Sequence, residues 1–311
     1  MNRRNYLSAF PSSKAYDNIC AKPYSSSTNY SNVWAVVRGR NVGNESYDEC
    51  TLPPYVNGGN CTREGATFLC SCPQDWAGLY CNTQLIPCYG YNPCVTGTCR
   101  PDGSTIKCDC PLGKTGQYCD QDITIQTPLF QNFSYMMFTK TNVRSSTQIS
   151  IRFKPAVRNG ILFYVAHDEQ SITGDFLSIY LHNGFVKLRY DLGKGVGEAK
   201  SNSTVILDMW HSVTVSRNAK SASLSLDGNP PVSVVSPGTA VALDVNSNFF
   251  LGGVRKLSTV NPNAVDNDPA SIQDFSGCIN QLEVNGILYF QSNTKALEGR
   301  NIANCPPESA A

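Results

Sequence analysis

Cysteine spacing constrains this chain more than any other feature. Of its 14 cysteines, twelve lie between Cys20 and Cys119, and only Cys278 and Cys305 follow. An eight–one–eight spacing occurs twice, at Cys61, Cys70, Cys72 and Cys81 and again at Cys99, Cys108, Cys110 and Cys119. A segment so poor in aliphatic residues buries too little apolar surface to hold itself together, and covalent staples are the usual remedy. Zinc would favour paired C-x2-C knuckles or Cys/His groups, and no histidine precedes His167. Disulfides are therefore expected, and with them an oxidising, extracellular compartment.

Charge and hydropathy narrow the class further. A formal net charge of +1 lacks the basic surplus of a nucleic-acid-binding protein. No apolar run reaches the length of a membrane-spanning helix, so no membrane insertion is expected. The start, MNRRNYLSAFPSSKAYDN, is basic but lacks the apolar core of a signal peptide, so the chain reads as a fragment of a larger secreted protein or ectodomain. Sequons at Asn29, Asn44, Asn60, Asn132 and Asn202 fit a secretory route and are the candidate N-glycosylation sites. Residues 1–46, rich in Ser, Asn and Tyr, read as a loosely ordered segment or part of a preceding module.

Residues 87–120 carry Cys88, Cys94, Cys99, Cys108, Cys110 and Cys119, with CDCPLGKTGQYC near the end. This stretch resembles an epidermal growth factor-like module. Spacing alone leaves fifteen connectivities open; the resemblance implies Cys88–Cys99, Cys94–Cys108 and Cys110–Cys119. Residues 47–82 resemble a first such module with Tyr55 in the place of the second cysteine. On that register Cys50 pairs with Cys61 and Cys72 with Cys81, which leaves Cys70 for Cys20. A second register gives Cys20–Cys61 and Cys50–Cys70. The residues before Cys50, SYDE, match a calcium-binding lead-in only in part, and QLIP before Cys88 does not match it. Both modules are therefore expected to act as spacers.

From residue 122 the pattern changes. QISIRF alternates, with Ile149, Ile151 and Phe153 on one face. FLSIYLHNGFVKLRY is two such runs joined at His182-Asn183-Gly184, a hairpin signal because Asn-Gly tolerates positive φ. WHSVTVSR, SASLSLDG and NFFLGG continue the series, and no stretch sustains helical periodicity. The expected fold is mainly β: two small disulfide-rich modules, then a β-sandwich over 122–305 and a tail over 306–311.

Taken in order, NGILFYV, GDFLSIYLHNGFVKLRYDLGKG, MWHSVTVSR, LSLDG, FFLGG and FSGCINQLEVNG are similar to a laminin G-like domain. That resemblance implies a two-sheet jelly roll with a late Cys278–Cys305 bridge. Closing that loop is worth roughly 3–4 kcal/mol on the chain-entropy model. It also implies a calcium ion at the sandwich rim, held by Asp175 and Asp244 and by the backbone carbonyls of Leu192 and Ala242. Hard oxygen donors of this kind suit calcium and leave positions open for a partner. The nearby Asp191 and the acids Asp266 and Asp268 read as solvated loop residues.

No catalytic constellation stands out. His211 in WHSV reads as a packed strand residue and His182 as a turn residue. His167 neighbours Asp168 and Glu169 without a nucleophile motif. The resemblance implies instead an adhesion or matrix segment that binds a glycan or glycoprotein receptor, dystroglycan-like, or a matrix protein, through calcium. Lys194, Lys200, Arg255 and Lys256 are the candidate basic contacts. Calcium-independent heparin or glycosaminoglycan binding is the alternative, although 15 basic and 14 acidic residues nearly cancel over 122–305. A steroid-like small-molecule carrier would need an apolar cavity between the sheets.

Overall fold

The computed structural model describes residues 21–22, 35–36, 57–64, 67–73, 76–77, 81, 83–84, 86–88, 90–102, 105–268, 273–289 and 295–307. Two compact units divide the chain, residues 1–91 and 92–311. Cys20, Cys50, Tyr55, Asn29 and Asn44 lie outside the described residues, and with them both registers considered for the first module.

In the first unit, Asn60–Glu64 pairs antiparallel with Thr67–Ser71. Cys72 is bonded to Cys81. The NGG stretch turns here with positive φ at Asn57 and Gly58, and the Asn57 side-chain amide donates to the Cys81 carbonyl at 3.0 Å. A Cβ on Gly59 would sit 2.5 Å from the Cys81 sulfur, so the close approach of backbone to disulfide requires glycine.

Cys88 of the first unit and Cys99 are also disulfide-bonded, and the second unit holds Cys94–Cys108 and Cys110–Cys119. Its main body is a double-layered β-sandwich. Its strands are β1 (Pro128–Phe130), β2 (Tyr135–Phe138), β3 (Ser146–Pro155), β4 (Gly160–Ala166) and β5 (Phe176–His182). There follow β6 (Phe185–Asp191), β7 (Val196–Thr204), β8 (His211–Asn218), β9 (Ser221–Leu226) and β10 (Val232–Val235). The last are β11 (Phe249–Leu251), β12 (Gly277–Val284), β13 (Ile287–Leu288), β14 (Ala296–Arg300) and β15 (Ala303–Asn304). One sheet runs β10-β9-β8-β3-β12-β1-β15, with β13 on β12; the other runs β7-β6-β5-β4-β11-β2-β14. The bridge Cys278–Cys305 ties β12 to the segment after β15.

Side-chain alternation explains the first sheet. β3 and β8 alternate regularly between buried and exposed residues along their length. Asn183 and Gly184 both take positive φ and join β5 to β6 with His182 opposite Phe185. β4 does not alternate; all seven of its residues are buried. Its inner side chains, Leu162, Phe163 and Val165, join the core between the sheets. Its outer ones, Ile161, Tyr164 and Ala166, pack under Val254, Val260, Ala264 and Val265 of the β11–β12 connection, which lies across the outer face like a strap. Between the sheets, Phe249 stacks on Phe138 and on Phe163 at 5.2 Å each, and Tyr289 stands edge-on to Phe138 and Phe249.

The strap is held by charge as well as apolar contact, and here the expectation of solvated acids is corrected. Asp266 bonds Lys187 Nζ and Arg189 Nη2, both at 2.9 Å, and accepts from the Tyr180 hydroxyl at 3.2 Å. Glu198 on β7 closes the network through Lys187 at 3.0 Å and through Arg189. Asp268 is half-buried and donates its amide to the Asp266 carbonyl. Asp191 is also engaged: its Oδ1 accepts from the amides of Gly193, Lys194 and Gly195 and so fixes the turn after β6. His211 is buried in β8, with Nδ1 2.7 Å from Asp227 Oδ2, so it braces the β8–β9 hairpin.

Asn301 joins the module over residues 92–119 to the sandwich. Its Oδ1 accepts from the Cys110 amide at 2.7 Å and its Nδ2 donates to Asp109 Oδ1 at 2.8 Å. The Asn301 amide donates to the Cys110 carbonyl and the Leu112 amide to the Gly299 carbonyl. Asn301 has φ +54, which asparagine tolerates. Asn301→Gly keeps that backbone and removes both side-chain bonds, so hydrogen exchange at the Cys110 amide should accelerate by about tenfold. Unchanged protection would show that the main-chain bonds alone hold the junction.

Candidate functional site

The rim of the sandwich brings together the residues that the sequence singled out from three separate stretches. Asp175 immediately precedes β5, Leu192 follows β6, and Ala242 and Asp244 lie in the connection between β10 and β11. The Asp244 amide donates to Asp175 Oδ2 at 2.8 Å, which sets the two acids side by side across 69 residues of sequence. A Cβ built on Gly193 would lie 3.4 Å from Asp175 Oδ1, so the Leu192–Gly193 turn borders the same carboxylate. The Leu243 amide donates to the Arg144 carbonyl. Because the peptide is trans, the Ala242 carbonyl points the opposite way.

His167 brackets the pair. Its amide donates to the Asp175 carbonyl and its Nδ1 lies 2.8 Å from the Asp244 carbonyl oxygen. Burial pushes the Asp175 carboxyl above the usual carboxylate range; the bond from the Asp244 amide opposes this, and the charges of Asp244 and Asp191 add to it. Negative charge is therefore crowded at one edge. A direct side-chain partner here is Arg144, whose guanidinium bonds Asp244 Oδ1. The sequence reading did not identify Arg144: it is a hundred residues from Asp244 and no local motif marks it.

Among the described residues no three His, Cys, Asp or Glu side chains form a ready-made metal cluster. A cation here would rely on two carboxylates and backbone carbonyls, a donor set chemically suited to calcium and not to zinc.

The basic candidates fare differently from one another. Lys194 is exposed and lies within the turn that Asp191 fixes beside Asp175. Lys200 leans over the Phe185 ring at 4.3 Å, at the end of the β6–β7 pair remote from Asp191. Arg255 is ion-paired with Glu169 at 2.7 Å and with Glu298, so its charge is already neutralised. Lys256 is exposed. A polar cleft of about 380 Å³ opens beside His167, lined also by Lys140, Gln170, Asn246 and Asn248. Of the sequons, Asn60, Asn132 and Asn202 are exposed.

Comparison with known proteins places this architecture. A Protein eyes shut homolog from Danio rerio is 38% identical over 283 residues, which cover 86% of this chain and 9% of that protein. The Basement membrane-specific heparan sulfate proteoglycan core protein of Mus musculus is 32% identical over 246 residues, 76% of this chain and 6% of that one. Human Pikachurin is 25% identical over 272 residues, 86% of this chain and 23% of that one. This chain thus spans a small part of each relative. No helix among its described residues is long and apolar enough to cross a membrane. The family model described as Laminin G domain matches residues 153–289, the centre of a sandwich whose strands extend from Pro128 to Asn304, and the chain carries a laminin G domain.

Proposed function

We propose that this chain is an extracellular interaction segment whose laminin G rim binds an acidic glycan or glycoprotein through calcium. Asp175 and Asp244 would supply carboxylate oxygens, and Leu192 and Ala242 backbone carbonyls. When bound, the ion supplies a hard positive centre with open positions that a partner's carboxylate can fill. The observation that carries this reading is the pairing of Asp175 with Asp244 at a rim where negative charge is crowded. The disulfide-bonded cysteines support an extracellular setting, and so do matrix relatives such as the basement-membrane protein above. A dystroglycan-like receptor fits the same chemistry, with Lys194, exposed two residues after Leu192, as the lysine beside the rim loops.

Thermal unfolding with calcium or with chelator tests the metal. Binding to the native state alone stabilises by RT ln(1 + [L]/Kd), so millimolar calcium should raise the melting temperature by a few degrees. Asp175→Asn should weaken calcium binding by about tenfold or more, because it removes one of two charged ligands. A chelator-indifferent, salt-sensitive interaction with heparin would instead favour the calcium-independent alternative.

A further inference from the structure

We propose that Arg144 is a resident counter-cation of the rim: it pairs with the Asp244 carboxylate, competes there with calcium, and when displaced leaves a guanidinium beside the ion for an anionic partner. This rests on the calcium reading above. It adds a residue outside the expected ligand set, with a role in both states of the site.

The contact is not an incidental pairing of two surface side chains. Arg144 is held in place through its backbone, because its carbonyl accepts from the Leu243 amide, one residue from Asp244. The same carbonyl accepts from Arg217 Nη2 at 3.0 Å. Arg217 is almost wholly buried, and it also donates to the carbonyl of Val143 and to Thr147 Oγ1. Thr147 Oγ1 donates in turn to the Val143 carbonyl at 3.0 Å. The base of Arg144 is thus fixed from below, while its side chain remains mostly exposed and able to swing. Fixed bases and a free side chain suit an exchangeable partner.

The electrostatics point the same way. A divalent ion on Asp175 and Asp244 would draw on the carboxylate whose Oδ1 the guanidinium already holds, and it would repel that guanidinium. Release costs little, because an ion pair between two exposed side chains adds little to stability. Once released, Arg144 cannot leave the neighbourhood, since Leu243 and Arg217 still hold its backbone. A fork of guanidinium donors next to a metal with open positions matches a carboxylate or sulfate bidentately.

Calorimetric titration of the whole chain with calcium chloride tests this, comparing wild type, Arg144→Gln and Arg144→Lys. Arg144→Gln should bind calcium about three- to tenfold more tightly, from loss of both the competing pair and the like-charge repulsion. Arg144→Lys should remain near wild type. In saturating calcium, Arg144→Gln should bind a heparin oligosaccharide more weakly than wild type by about threefold or more. Equal or weaker calcium affinity in Arg144→Gln overturns the competition, and undiminished heparin binding overturns the second role. If neither wild type nor Arg144→Gln binds calcium, the underlying reading fails and takes this one with it. Binding by Arg144→Gln alone supports it strongly.

Discussion

Replacing Asp266 with alanine is expected to cost about 3 kcal/mol of folding stability, read as a lower urea midpoint with little change in slope. The carboxylate bonds Lys187, Arg189 and Tyr180 at once, and it reaches them from the strap over the outer sheet. Burial opposes its charge. The Lys187 hydrogen bond and the charges of Lys187 and Arg189 outweigh that, and hold the carboxyl below its ordinary range. Removing Asp266 leaves two cations in a largely covered site with, among the described residues, Glu198 to answer them. The loss should be largest near neutral pH and shrink in acid, where the wild-type carboxylate is itself protonated. A second substitution, Lys187→Met, should recover part of the loss by removing the excess positive charge that Glu198 cannot balance. An Asp266→Ala variant as stable as wild type would mean that the apolar contacts of Val260, Ala264 and Val265 hold the strap unaided.

The contrast between Asp266 and the hairpins shows what a sequence carries legibly. Alternation along β3 and β8, and the Asn183-Gly184 turn, are local: each residue's role is set by neighbours two to four positions away. The sandwich was therefore readable, and so was the density of disulfides. The all-buried pattern of β4 follows only once the strap covers its outer face, because the run GILFYVA has no period of its own. Asp266 read as a solvated acid because its partners sit on β5 and β6, some eighty residues earlier. Arg144 was invisible for the same reason. Asp175 and Asp244 were found through family resemblance; neither spacing nor composition pairs two acids 69 residues apart. What the resemblance lacked was the chain's own counter-charge, which depends on one loop meeting another.

Asp274 should make stability fall as pH rises from about 4 to 7, a trend that Asp274→Asn should lack. The carboxyl is buried where the strap rejoins the sheet, and its Oδ1 accepts from the Val254 amide at 3.2 Å. A Cβ on Gly253 would come within 2.4 Å of that oxygen and 2.3 Å of the Ser134 carbonyl, so the double glycine of FFLGG lets the backbone pass over the acid. Burial is the main influence and raises its pKa from 3.8 to about 6; the Val254 amide and the Arg300 charge oppose this only in part. The protonated form is therefore the one the fold favours. Its contribution is fully present below the unfolded value near 4 and is lost as pH rises through about 6, which amounts to about 3 kcal/mol. Asp175, also raised, contributes in the same direction, whereas Asp266, Glu198 and Glu298 are lowered and contribute oppositely. The test is therefore the difference between wild type and Asp274→Asn, followed by chemical denaturation in chelator from pH 4 to pH 7. That difference should shift against wild type by the stated amount, with its midpoint between the two pKa values. A difference constant with pH would show that Asp274 keeps its charge with no penalty from burial, and that the strap closes over the acid without expelling water from it.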